Sequence, residues 1–177
     1  MYTDVICFIS TEYAKKNYPT LSTMLEDKVV DASIITAQEL YIIPALGTSL
    51  YNDLQSVMWL YKNSGTTINA DYVNLINNYI KPCLLHFTMW DAFGKNYLKM
   101  TSIGAQKKSS EFSQAGDSKD ITFQRNIIKS DAYAYRKRLI DHLCAYSSTY
   151  TLYNAPFVGD GVEGEEESSN GFGIFLR

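Results

Sequence analysis

The sequence predicts a mainly α-helical fold: a bundle of four to five helices with a protruding β-hairpin or long loop and an extended C-terminal tail. Three observations carry this. Apolar residues recur at helical spacing through the long segments before residue 100 and again after 120. Cap and stop residues bracket those segments. The helical period fails over 101–120 and again beyond Tyr150, where small and polar residues dominate. Residues 1–150 are therefore expected to form one helical domain, and 151–177 a flexible acidic linker ending in an apolar docking segment.

The elements follow in order. After a short apolar stretch at residues 2–9, Ser10 can cap a brief helix that reaches Asn17 and stops at Pro19. A second helix is expected from about Ser22 to Ile43, with Val30, Ile34, Ala37 and Tyr41 at i, i+4, i+7 and i+11. Ala37, Leu40 and Tyr41 should share a face, Pro44 should end the helix, and Gly47 can take a left-handed turn. Thr48 can cap a third helix carrying Leu50, Leu54, Val57, Met58 and Tyr61, which closes near Lys62 at Asn63-Ser64-Gly65.

The fourth helix, capped by Asn69 and running to about Lys99, should be the longest. Val73, Ile76, Ile80, Leu84, Phe87, Trp90 and Tyr97 mark its stripe; Pro82 should kink it, and Gly94 can admit a neighbouring backbone. Residues 101–120 read as a hairpin or long loop, a length that is uncommon without a function. The last helix, about Ile121 to Tyr146, places Ile128, Ala132, Tyr135, Leu139, Leu143 and Tyr146 on one face. No internal repeat is read in the sequence.

Composition narrows the functional classes. A chain of 177 residues with 46% hydrophobic and 20% charged residues is long enough for one sizeable core. Its net charge of −3 gives no global electrostatic case for nucleic-acid binding. Cys7, Cys83 and Cys144 are odd in number and widely spaced, which fits free thiols in a reducing compartment. Val5 to Ile9 is too short for a signal or a membrane span, so manufacture in a cytoplasm and no membrane partner are expected. The 14 Tyr and 8 Phe suit surfaces half buried against a partner.

Catalytic patterns are sparse. The sequence has no Glu-x-x-His, Walker loop, dinucleotide fingerprint or Gly-x-Ser-x-Gly. Cys83 and His86 lie at i, i+3 and could offer two metal ligands, but their apolar setting favours a core cysteine and a tolerated histidine. No cofactor, metal or enzymatic activity is expected. On the last helix Arg125, Lys129 and Arg136 share a face, with Lys137 and Arg138 close by. Interleaved Asp131 and Asp141 leave three readings open: a solvated face, a salt-bridged subunit contact, or DNA contact.

The tail offers the other candidate site. In an extended chain Phe172, Ile174 and Leu176 point one way, beside Phe175, while Gly171 and Gly173 disfavour a helix. Burying these four side chains is worth roughly 6–12 kcal/mol, against about 7–14 kcal/mol to order seven residues. Strand addition to an exposed edge supplies hydrogen bonds as well, which favours docking on a partner over folding back on the bundle.

The stretch Ala37-Gln38-Glu39-Leu40-Tyr41-Ile42-Ile43-Pro44-Ala45-Leu46-Gly47-Thr48-Ser49-Leu50-Tyr51-Asn52-Asp53-Leu54 resembles the head–tail connector (adaptor, or neck-ring) proteins of tailed bacteriophages, in the form found in crAss-like phages of gut Bacteroidetes. The resemblance extends over about Ile9 to Tyr150 and is renewed from Thr101-Ser102-Ile103-Gly104 through Lys107-Lys108-Ser109-Ser110-Glu111. It implies a helical bundle with a hairpin between its last two long helices. It also implies a homo-oligomeric ring, dodecameric in that family, at the virion neck. There the ring joins the portal to the tail or to a second neck-ring protein, and genomic DNA passes through its channel without sequence-specific binding. The family implies no catalytic residues. A small helical DNA-binding or regulatory protein is the alternative.

Overall fold

The computed structural model describes residues 6–18, 26–101, 104–107 and 118–154. Their architecture is mainly helical, with five helices among them. Helix α1 spans Thr11–Asn17, and Ser10 caps it by accepting a hydrogen bond from the Tyr13 N–H at 3.1 Å. Helix α2 spans Asp27–Leu46 and α3 spans Thr48–Ser64. Helix α4 runs without interruption through Ala70–Leu75, Ile76–Ile80 and Lys81–Tyr97, and α5 spans Ser118–Ala145. Immediately after α4, Leu98–Thr101 pairs antiparallel with Gly104–Lys107, Leu98 opposite Lys107 and Thr101 opposite Gly104. Of the rest of the expected hairpin or loop at 101–120, residues 118–120 instead begin α5 and the remainder lies outside the described residues, as do the stop at Pro19, the start of the second helix at Ser22 and the tail from 155.

Helix α4 is the centre of the bundle, packed along α2 on one side and α5 on the other. Two covered sides explain why its buried residues exceed one stripe: Leu75, Cys83, Leu85, Met89 and Ala92 join the expected Ile76, Ile80, Leu84 and Phe87. Val73, at the open end of α4, is exposed instead. On α5, Ile128, Ala132, Leu139 and Leu143 are buried as expected, but Tyr146 lies past the contact with α4 and is 54% exposed. Helix α3 commits only its first half to the core, through Leu50, Tyr51 and Leu54; Tyr61 is exposed. By length and composition α2 could cross a membrane, yet Val30, Ile34 and Ala37 are buried within the bundle.

Pro44 does not end its helix as expected, while Pro82 lies within its helix as expected. Pro44 lies inside α2, which continues to Leu46, and Pro82 lies inside α4, which continues to Tyr97. In each case a π-turn comes first. Over Gln38–Ile42 the Ile43 N–H reaches the Gln38 carbonyl five residues back, and over Ile76–Ile80 the Lys81 N–H reaches the Ile76 carbonyl. A proline in an α-helix lacks one donor and its ring strikes the carbonyl four residues back. Widening the preceding turn by one residue relieves that clash and leaves proline at the start of a fresh α segment, where no donor is needed. The same four-residue pattern stands at both places, Tyr41-Ile42-Ile43-Pro44 and Tyr79-Ile80-Lys81-Pro82. The widened turn also rotates later side chains, so Ile42 faces the core while Leu40 is 59% exposed, not on the face of Ala37.

At the corner between α2 and α3, Gly47 itself is the residue before the helix; Thr48 is already helical and its side chain makes no cap. Gly47 has φ 74° and ψ 153°, a conformation open essentially to glycine alone. At the other end Gly65 closes α3 in the left-handed conformation, its N–H on the Tyr61 carbonyl at 3.1 Å. A methyl group at Gly47 would meet only the Asn154 carbonyl, at an ordinary 3.6 Å. Gly47→Ala should therefore lose stability through the backbone and not through a clash, by about 1–3 kcal/mol. Urea denaturation would measure it; an unchanged midpoint would show that the corner tolerates another conformation.

Candidate assembly surfaces

The corner of α2 and α3 is built around one buried amide. Gln38 is fully buried. Its Oε1 accepts from the Phe8 N–H at 2.9 Å, and its Nε2 donates to the Ile6 carbonyl and to the Tyr51 hydroxyl, each at 3.0 Å. Gln55, two turns along α3, receives the Ile6 N–H at 2.9 Å and donates to the Ile6 carbonyl at 2.8 Å. Two glutamines on two helices thus hold one stretch of backbone as a neighbouring strand would. Burial pushes the Tyr51 phenol above its ordinary range, so it stays a neutral acceptor for Gln38.

A second cluster lies where α2, α4 and α5 meet. Tyr41 stacks on Phe87 with centroids 4.0 Å apart, and Trp90 and Tyr133 stand edge-on to Phe87. Arg125 and Lys129 lie over the face of the Trp90 indole at 5.5 and 5.9 Å, and Lys129 reaches Tyr133 as well. Each such cation–π contact is worth about 0.5–1 kcal/mol at an exposed site. The space at Gly94 is taken by the Arg125 guanidinium, 3.3 Å from where a Cβ would sit; a side chain, not a backbone, approaches there.

The cations of α5 therefore do not act as one stripe. Arg125 and Lys129 converge on Trp90. Arg136 is half-buried farther along, where its charge bears on Cys83 and Tyr153. Lys137 pairs with Asp141 at 2.7 Å, and Arg138 lies over Tyr79 at 5.1 Å. Phe172, Ile174, Phe175 and Leu176 lie outside the described residues.

Both histidines have partners that the sequence did not reveal. His86 donates from Nδ1 to the Pro82 carbonyl at 2.8 Å and stacks on Tyr135, with Tyr18 edge-on. His142 stacks on Tyr79 at 3.8 Å, and its Nε2 lies 3.3 Å from the Tyr150 hydroxyl, which donates in turn to the Asp71 carbonyl. Cys83 is a core residue, its thiol pushed up to about 12 by burial, so it is a poor nucleophile or ligand. Among the described residues no three His, Cys, Asp or Glu side chains are grouped to hold a metal.

A family model matches residues 42–160, two thirds of the chain, which takes in the corner, the central helix and α5. The chain belongs to DUF6712, a family of unknown function. Curated proteins and solved structures gave no match. The DUF6712 match begins at Ile42, so Tyr51 and Gln55 lie inside the matched region, while Gln38 and the backbone it holds at Ile6 and Phe8 precede it.

Sequence reasoning identified the corner but missed Gln38, Gln55 and Trp90 as its working parts. A signal was present for the first: Gln38 stands four residues after Ile34, a polar residue on the apolar face of α2. Replacing it tests the clamp. Gln38→Leu keeps the volume but leaves the Phe8 N–H and Tyr51 hydroxyl without this partner, an expected loss of about 1–3 kcal/mol by chemical denaturation. A neutral result would mean that water replaces the amide.

His142 yields a pH dependence of definite sign. Burial against its aromatic neighbours, and then the Arg138 charge, hold its pKa below the usual 6.5. The unfolded chain therefore takes up the proton first, so stability is complete above 6.5 and declines as pH falls from 6.5 towards the lower folded value. Melting temperatures at several pH values should fall less steeply through this window for His142→Gln than for the unaltered protein; parallel curves would refute the assignment.

Proposed function

We propose that this DUF6712 protein is a virion structural component, a head–tail connector that forms a ring at the neck between portal and tail. The observation that carries the reading is the Ala37–Leu54 corner. The side chains that give it the look of a connector have architectural work: Ala37, Leu46, Leu50 and Leu54 are buried, Gln38 binds Tyr51, and Tyr41 stacks on Phe87. The strand pair at Leu98–Lys107 falls between the last two long helices, where connectors of this kind carry a hairpin; we take it as the base of one that spans 101–120. Its work is scaffolding, with no turnover and no bound cofactor.

In this reading the subunits contact one another head to tail in a ring, as a dodecamer if the family pattern holds, so one surface of each complements a different surface of the next. The portal sits on one side and a tail or second neck-ring protein on the other, with genomic DNA in the channel. Arg125, Lys129 and Arg136 contribute to subunit contacts, and Phe172, Ile174, Phe175 and Leu176 dock on a partner during assembly. The DNA-binding alternative is less well supported, because Arg125 and Lys129 direct their charge onto Trp90 and the net charge is −3.

Electron microscopy of assembled particles tests the proposal directly. The protein should appear as a ring beneath the portal, and particles carrying it elsewhere would overturn the assignment. Deleting residues 171–177 should leave the melting temperature nearly unchanged and reduce incorporation into particles; loss of fold stability by several kcal/mol would instead make the tail part of its own core.

A further inference from the structure

The two glutamines that hold Ile6 and Phe8 occupy one edge of that stretch and leave the other open. Gln38 bridges the Ile6 carbonyl and the Phe8 N–H, and Gln55 takes both backbone groups of Ile6. In an extended chain these groups share an edge, and the N–H and carbonyl of the intervening residue face the opposite way. That residue is Cys7, and neither of its backbone groups has a partner among the described residues. Beside it opens a groove of about 680 Å³ whose lining includes Ile34 and Ile35 of α2, with Glu12, Asp31 and Lys62. The molecule thus presents the unpaired backbone groups of Cys7 next to a groove lined in part by apolar side chains, and backbone groups of this kind can be paired by adding a strand.

We propose that this edge receives the segment Gly171–Arg177 of a second copy of the chain. The chemistry matches on three counts. Phe172, Ile174 and Leu176 alternate along one face and suit a groove containing Ile34 and Ile35. The backbone of the segment supplies the acceptor and donor that Cys7 lacks. Two carboxylates against one lysine in the groove suit the positive charge of Arg177. By number alone, a chain of the sixteen residues that separate Asn154 from Gly171 would span about 22 Å on average if it behaved as a flexible linker, beyond the radius of gyration of about 15 Å for a domain this size. Choosing a second copy rests on the head-to-tail assembly proposed above: edge and tail are the two unlike surfaces that such a ring requires of each subunit.

Cys7→Pro removes the open N–H, and among the described residues no hydrogen bond uses that group. Cys7→Ala controls for the thiol. Sedimentation of the full-length protein at rising concentration should show association that Cys7→Ala retains and Cys7→Pro loses, with helical circular dichroism unchanged in both. Deleting 171–177, or Ile174→Asp, should abolish it equally. A one-to-one mixture of Cys7→Pro with the deletion variant should then yield a dimer and nothing larger, since one partner supplies only a tail and the other only an edge. A mixture that stays monomeric overturns the proposal. So does an unaltered protein that stays monomeric while exchange of its Cys7 amide is slowed about tenfold or more by the presence of 171–177, because the occupant would then be its own tail. A dimer in this mixture, with the protein absent from the neck of particles, would remove the connector role and uphold this contact.

Discussion

An amide inside a protein has no water to fall back on, and Gln38 meets that constraint by binding three groups from two parts of the chain. Its carbonyl oxygen and amino group fix the backbone of Ile6 to Phe8, thirty residues away in sequence, and the amino group also fixes Tyr51 across the corner. Each bond adds only about 0.5–1.5 kcal/mol net, but leaving any buried partner unmet costs about 1–3 kcal/mol. The network therefore acts mainly on specificity. It admits one register between α2 and α3 and one path for the chain that precedes α1. From that path follow the placement of Phe8 against Tyr51 and the position of Ile9 in the core.

The two π-turns impose a second constraint on the same bundle. Gln38 opens the first of them, so the residue that clamps the corner also begins the widened turn that lets the helix pass Pro44. The rotation carries Ile42 into the core beside Ala45 and Leu46, and leaves Tyr41 free to stack on Phe87 of α4. In α4 the second π-turn delivers Ile80 to the core and Tyr79 to His142 of α5. Two prolines that would each break an isolated helix thus set where aromatic side chains cross between helices. The Pro82 carbonyl, which lies in the α segment that follows, is used by His86.

Local features were legible in the sequence because their causes are local. Ser10 and Asn69 cap their helices through their own side chains, Gly65 ends α3 in a left-handed turn, and the apolar spacing located four of the five helices to within a few residues. Pro44 was misread as a stop because its effect depends on the width of the preceding turn, which no single residue announces. Only the recurrence of Tyr-Ile-x-Pro pointed to it. Arg125, Lys129 and Arg136 looked like one stripe because helical spacing says which side chains share a face and not what lies opposite. Trp90 and Gly94, on another helix, draw two of them aside.

These constraints leave the bundle with an asymmetric surface. Its interior contacts are concentrated on α4, and the second half of α3 extends beyond the core with Leu60 and Tyr61 exposed. On α5, Phe123 and Ile127 stand one turn apart and are exposed as well. In the ring proposed above, these two apolar places would meet different neighbours. The rigid corner would matter to that proposed arrangement. A ring closes only if every subunit holds the same angle between its two contact faces, and an error of a few degrees accumulates around the circle. A buried amide with all its partners fixed, on a helix turned by a widened loop of backbone, resists that error far better than apolar packing alone, which tolerates sliding.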